Sequence, residues 1–481
     1  MRYKLWSTIA ISLLSSFSQI LTVFPAQAFN RAYCQVDQAT IDQKNQLRDQ
    51  AIAGDDSALQ QYQQLVRQHS QDLANCRRNN WLKEQAIWVR LYPCDVQAGS
   101  IEKVLDQVVN LGYNTVYLEV FFDGQVLLPK NANYTPWPSV VEAPGFENRD
   151  LYAEALEKGR ARGLKMYAWL FSMNYGYVYS TRNDRRNTIA LNGRGQNSIG
   201  VVEDQSQLFI DPYSRQARQD YTQMLQAVLQ RRPDGVLFDY IRYPRGSGGQ
   251  SVVGNVKDLW IYSPSSKQAL LNRAGNQQGR WLLQRYIEKG GIDINDIARM
   301  RQLYPNEQTP LWQGRNPNNS NSLSSLQLEL WYFTVAHAAQ GVIDFLDFVS
   351  GQVRQRGIKS GAVFFPDGNK IVGNIGFDSR LQPWDSFSSN IEWHAMSYAL
   401  CGNPNCIVDQ VRRVADVSSD GSNVKPVLAG FWGRQDGKRP SLESQMEAIR
   451  TQVTSIDSIS HFAYSWLEVE HTRERQSCTF R

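Results

Sequence analysis

The chain has 481 residues, and its 51 Lys and Arg against 46 Asp and Glu leave a formal net charge of +5. Charges of both signs are interspersed, so no basic surface argues for nucleic acid as a partner. Aromatic content is more telling: 13 Trp and 22 Tyr can serve a core or a binding face, and their positions decide which.

The N-terminus carries Arg2 and Lys4, an apolar run from Trp6 to Val23, and Ala26-Gln27-Ala28. A positive start, a hydrophobic stretch and small residues at the cleavage positions read as a signal peptide over residues 1–28. Ser12, Ser15, Ser16 and Gln19 dilute the run, which weighs against a retained membrane anchor. The expected compartment is the periplasm, the cell envelope or the extracellular space, and no later segment has the ~20 apolar residues that a span needs. All six cysteines, Cys34, Cys76, Cys94, Cys401, Cys406 and Cys478, follow the cleavage site, and an even number in an exported chain permits three disulfides. The sequence leaves their pairing open. Cys401 and Cys406 bracket a Gly-Asn-Pro-Asn turn, Cys34 and Cys76 flank a helical hairpin, and Cys94 and Cys478 follow the first and last predicted strands. No CxxC pair or nearby His completes a zinc set, so neither a metal nor a cofactor is expected.

Residues 29–80 are rich in Gln, Asp, Arg and Ala and read as two short amphipathic helices split at Gly54-Asp55-Asp56, a small appendage without chemistry of its own. From 81 to 481 strands alternate with helices, which argues for a parallel sheet. Strands are predicted over 86–92, 114–122, 164–171, 235–241, 358–365, 391–398, 424–432 and 459–467. Helices fall at 100–111, 150–162, 214–232, 322–356, 408–417 and 441–453, with none placed after residue 365. The class is α/β, and the architecture is an eight-stranded (β/α)8 TIM barrel. A doubly wound open sheet is disfavoured because no glycine-rich phosphate loop follows any strand. Two loops are oversized, 174–210 after strand three and an insertion over 245–323 after strand four. Both leave the C-terminal ends of strands, where barrel enzymes keep their sites, and the insertion is expected to act as a wall or lid. Its aromatics Trp260, Tyr262, Trp281 and Trp312 are expected to divide between packing and substrate, and its Asn/Ser run at 316–325 to be mobile.

The segment DGVLFDYIRYP, 234–244, is the most informative in the chain. A turn signal leads into the apolar run Val236-Leu237-Phe238, which stops at Asp239. A carboxylate at the mouth of a buried strand is costly unless paired, and Arg242 is the expected partner. Closing the barrel brings Asp239, Tyr240, Arg242 and Tyr243 to one face with Arg90, Glu119, Trp169, Asn174, Asp367, Tyr398, Trp432, Trp466 and Glu468. Carboxylates among aromatics is the composition of a carbohydrate site, because rings stack on sugar faces and two carboxyls flank a scissile glycosidic bond. Each residue also has a structural reading. Glu119 can pair with Arg90, Glu468 can belong to a charged tail with Glu470 and Arg473, and Trp169 and Trp466 can belong to the core. Glu392 lies at the start of its strand, on the stability face. His337, His394 and His461 show no metal spacing.

Trp88-Val-Arg, NTVYLEVFFDGQVLLP at 114–129, LKMYAWLFSMN at 164–174 and DPYSRQARQDYTQMLQAVLQRRPDGVLFDYIRYP at 211–244 together resemble the family 10-like glycosyl hydrolases, exported bacterial TIM-barrel proteins. The similarity is carried by residues 86–245. Glu119 stands where the family's second strand usually has Gln, and Leu237, Asp239 and Tyr240 stand where its fourth usually has a His and paired acids. The resemblance implies glycoside hydrolysis of a bacterial cell-wall or extracellular polysaccharide, peptidoglycan included. The leading reading makes Asp239 the nucleophile or base and Glu119 the acid, with Glu468 and Asp367 as alternative acids. The competing one is a non-catalytic carbohydrate-binding barrel of the cell envelope.

Overall fold

The computed structural model of the chain describes residues 32–418 and 421–478, and the predicted signal peptide lies outside them. Eight parallel strands form the core: β1 (Glu84–Arg90), β2 (Thr115–Phe122), β3 (Lys165–Phe171), β4 (Gly235–Asp239), β5 (Lys359–Phe364), β6 (Glu392–Ala395), β7 (Val427–Ala429) and β8 (Ser458–Phe462). They pair in the order β6-β5-β4-β3-β2-β1-β8-β7. Parallel bridges from Trp393 to Val424 and from Met396 to Val427 join β6 to β7, so the sheet closes on itself. This is the predicted (β/α)8 barrel.

The strands form because their residues are apolar on both faces, as a sheet wrapped in helices requires. All eight residues of β2, TVYLEVFF, are buried, and its one charge is Glu119. Inside the barrel Trp88 meets Tyr117 and Trp169 edge-on, each with ring centroids 4.8 Å apart, and its Nε1 donates to Ser460 Oγ (3.0 Å). Side chains fill the lumen, which is a core and not a pore. At the bottom, Lys425 Nζ lies 2.9 Å from both Glu84 and Glu392, and Lys165 adds a contact to Glu84 at 3.1 Å. Glu392 therefore belongs to a structural ion network, which His394 joins at 3.3 Å.

The N-terminal helices α1 (Gln38–Ile52) and α2 (Asp56–Arg78) are capped by Asp37 and Asp55, whose carboxylates accept from the N–H groups of Thr40 and Ala58. Cys34–Cys76 ties this hairpin together. It docks on α3 (Ser100–Asn110) and α4 (Leu151–Ala161), where Asp106 accepts from Tyr62 (2.8 Å) and from Arg162 (3.0 Å) at the end of α4.

One expectation needs correction. The eighth strand stops at Phe462, because Tyr464–Leu467 turns into one helical turn although its apolar residues read as strand. The connection after β5, where no helix was placed, carries no α-helix; Ile371–Val372 and Gly376–Asp378 form a hairpin that pairs with Val252–Val253. The insertion carries three helices, α6 (Pro264–Leu271), α7 (Gln277–Lys289) and α8 (Ile294–Leu303), and is tied to the helical layer. There Asp211 accepts from Ser263 Oγ (2.6 Å) and Ser266 N (2.9 Å), and Ser266 meets His337 of α9 (Leu323–Arg354). Trp260, Tyr262 and Trp312 are buried, and the run at 316–325 is held by Arg315, which donates to Ser320 O and to the Asn321 and Glu329 side chains.

Candidate active site

The C-terminal ends of β1, β2, β3 and β8 surround a cavity of about 210 Å³ whose walls include Arg90, Glu119, Trp169, Trp466 and Arg475. Strand alternation places the acid there. On β2 the interior positions Tyr117 and Glu119 are level with Tyr167 and Trp169 of β3, and a bulge after Glu119 sends Phe121 outward to pack on Trp137. Glu119 is wholly buried, and Arg90 at the end of β1 chelates it through two donors, Nε to Oε2 and Nη2 to Oε1 (3.1 Å). Burial pushes the Glu119 carboxyl up to about 7; the Arg90 charge and hydrogen bonds pull against this, and Asp123 and Asp239 add to the rise.

Asp239 ends β4, level with Phe171 of β3. It is 7 % exposed. Its Oδ1 accepts from Tyr240 N (2.6 Å) and its Oδ2 from Trp169 Nε1 (3.1 Å). Burial raises it to about 6 against both of those donors and the Arg242 charge. Trp169 thus stands between the two acids, lining the cavity with Glu119 on one side and donating to Asp239 on the other. Tyr240 has φ +51°, a left-handed conformation that costs a bulky residue about 1–3 kcal/mol. That turn redirects the chain, so Arg242 is not the hydrogen-bonded partner of Asp239 that the sequence suggested. Its guanidinium lies 4.6 Å over the Tyr240 ring and 5.5 Å from Phe209, and its Nη1 donates to Tyr243 O (2.9 Å).

The remaining candidates separate. Tyr398 packs on Phe462, 6.1 Å between centroids, close enough to Asp239 for the carboxylate to raise its phenol further beyond the effect of burial. Asn174 is buried and holds the loop after β3, accepting from Gly176 N and Leu208 N at 3.1 Å each. Tyr243 is buried away from the cavity. Asp367 lies with Lys370 (2.5 Å) and Arg413 (3.8 Å). Those cations and Gln410 hold it below its ordinary value against the effect of burial, which is the wrong direction for a proton donor. Glu468 and Trp432 line a second cavity farther out.

Several site residues escaped the sequence reading. Asp123 follows β2 in an Asp-Gly hairpin turn, φ +47° and +74°, and lies 3.5 Å from Arg90. Gly176 is required where its backbone crosses this turn, because a Cβ on it would meet Gly124 N at 2.2 Å. Arg475 of α12 (Val469–Gln476) pairs bidentately with buried Asp95 (2.8 and 2.6 Å) and donates to the carbonyl of Arg90 (2.8 Å). Cys94–Cys478 fastens that helix to the segment after β1, across 384 residues of sequence. The Asp-Gly pair was a readable signal; the Arg475 contact was not. The third disulfide joins Cys401 to Cys406. Among the described residues no group of three or more His, Cys, Asp or Glu is placed to hold a metal ion, and no helix is long and apolar enough to cross a membrane.

A scan against protein-family models matches residues 71–288 to the family described as glycosyl hydrolase-like 10. The resemblance seen over 86–245 lies inside that match, which covers β1 to β4 and both acids. No curated protein sequence matches the chain. Among solved structures, the PgaB (BpsB) glycoside hydrolase domain from Bordetella bronchiseptica is 14% identical with a TM-score of 0.48, covering 82% of this chain and 99% of its own. A β-galactosidase from the psychrophilic Marinomonas ef1 is 10% identical with a TM-score of 0.46, covering 79% of this chain and 54% of its own. An exo-β-N-acetylglucosaminidase from Vibrio harveyi is 10% identical with a TM-score of 0.39, covering 79% of this chain and 50% of its own.

Proposed function

We propose that the protein is an exported glycoside hydrolase that cleaves glycosidic bonds in a bacterial cell-wall or extracellular polysaccharide. The observation that carries this reading is the pair of buried carboxyls on either side of Trp169, both raised, but unequally. At about 7, Glu119 keeps its proton near neutral pH and can pass it to the glycosidic oxygen as the C–O bond breaks. At about 6, Asp239 gives up its proton first and serves as nucleophile or base toward the sugar or the attacking water. Arg90 orients the acid, and Trp169 and Trp466 supply ring faces for a sugar. The family match supports the reaction class. The N-terminal signal and three disulfides, with no free cysteine among the described residues, support an oxidising compartment outside the cytoplasm.

A second reading, a carbohydrate-binding barrel without turnover, is favoured by one feature: Arg90 engages both oxygens of Glu119 while Trp169 covers Asp239. Reducing-end release from a glycan panel that includes peptidoglycan separates the two. Hydrolysis by the wild type and its loss in Asp239→Asn are expected; binding without release would select the second reading.

A further inference from the structure

The inner cavity, at about 210 Å³, is below the roughly 300–1,000 Å³ of a typical ligand pocket, so it has room for little more than one sugar ring. A polymer bound there must continue somewhere else. Trp466 lines a second cavity as well, of about 480 Å³, with Phe431, Trp432, Arg434, Glu468 and Val469. Among the described residues, Trp466 is the one that borders both spaces.

The outer cavity has the chemistry of a sugar subsite. Phe431, Trp432 and Trp466 are each only partly buried, and the Phe431 and Trp466 rings lie near-parallel, 20° apart with centroids separated by 6.3 Å. Their positions are set in advance. Arg434 sits 4.2 Å over the Phe431 ring, Arg439 5.2 Å over Trp466, and Trp432 Nε1 donates to Tyr113 OH (3.2 Å). Fixed aromatic faces bind with little loss of side-chain entropy. Glu468 adds a half-buried carboxylate, one oxygen of which accepts from Gln107 Nε2 (2.7 Å). Tyr464–Leu467 and α12 carry this wall, and Cys94–Cys478 anchors it.

We infer that the outer cavity binds the sugar residues that follow the one held at Glu119, so that the protein grips its glycan across Trp466 and acts on chains rather than on a terminal sugar. This inference rests on the reading that the inner cavity takes a sugar.

The test is calorimetric titration of full-length Asp239→Asn protein, with and without Phe431→Ala. The ligands are peptide-free peptidoglycan strands, chito-oligosaccharides and cello-oligosaccharides of two, four and six residues. Affinity should rise about tenfold between two and four residues for the glycan that binds, and this gain should fall below about twofold in Phe431→Ala with two-residue binding unchanged. Glu468→Gln, which keeps the shape of the side chain, should reduce the same gain and provides the readout if Phe431→Ala unfolds. Binding with the length dependence intact in both variants overturns the outer subsite and leaves the inner site standing. No binding at any length overturns both.

Discussion

The Asp239→Asn protein should gain stability relative to the wild type as pH rises, while losing its activity. The folded structure raises the Asp239 carboxyl from its ordinary value of 3.8 to about 6. The folded state therefore holds the proton to higher pH than the unfolded chain, and native stability falls as pH climbs from about 4 through about 6. Above that range a shift of this size costs the native state about 3 kcal/mol; near pH 4 the cost is only about 0.5 kcal/mol. Asparagine does not titrate, but it has one acceptor where the carboxylate has two, so its Nδ2 faces either Tyr240 N or Trp169 Nε1 at a pH-independent cost of about 1–3 kcal/mol. The stability of the variant relative to the wild type should therefore be about 2–3 kcal/mol higher at pH 8 than at pH 4. Urea unfolding of both proteins at the two pH values measures this directly. An equal effect at both would falsify the claim that burial governs this carboxyl.

Arg90→Met removes both donors to Glu119 and should send the Glu119 carboxyl higher still, by about one unit or more, read from the carbon-13 shift of its carboxyl during a pH titration. No movement would mean that Arg90 does not tune the acid. Lys425→Met leaves Glu84 and Glu392 buried without their shared cation and should cost about 3–5 kcal/mol in denaturant unfolding, with the pH dependence of activity unchanged; an unchanged midpoint would make the bottom network energetically idle. Replacing Cys94 and Cys478 by Ser should cost about 2–5 kcal/mol, and mass mapping of nonreduced wild-type protein should find Cys401 joined to Cys406 and no free thiol. A free thiol at those positions in exported protein would contradict the oxidising compartment.

The barrel was legible because parallel strands buried on both faces must be continuously apolar, and β2 and β4 are, up to Glu119 and Asp239. The error at β8 has the same origin: Ala463 to Leu467 are largely apolar, and composition does not distinguish a strand from the helical turn that the chain makes there. Trp260 and Trp312 of the insertion are buried, and sequence alone does not distinguish them from aromatics that await a ligand. Arg242 was three residues from Asp239 and reasonably placed as its partner, but the left-handed Tyr240 between them decides where the guanidinium goes. Arg475 reaches Arg90 across 385 residues, a contact that only chain closure creates. Local patterns thus gave the scaffold and the strand-end positions of Glu119 and Asp239, while the partners that orient those carboxyls depend on tertiary geometry.

The most direct test of the central claim is the pH dependence of kcat/KM for the wild type and for Glu119→Gln, on whichever glycan the protein cleaves. If Asp239 must be ionised and Glu119 protonated, the wild-type rate should fall below about pH 6 and above about pH 7. Glu119→Gln should lose most activity, and what remains should show no alkaline fall. A wild-type rate that stays level from pH 7 to 9, or a Glu119→Gln profile matching the wild type in height and shape, would contradict the assignment of Glu119 as the acid.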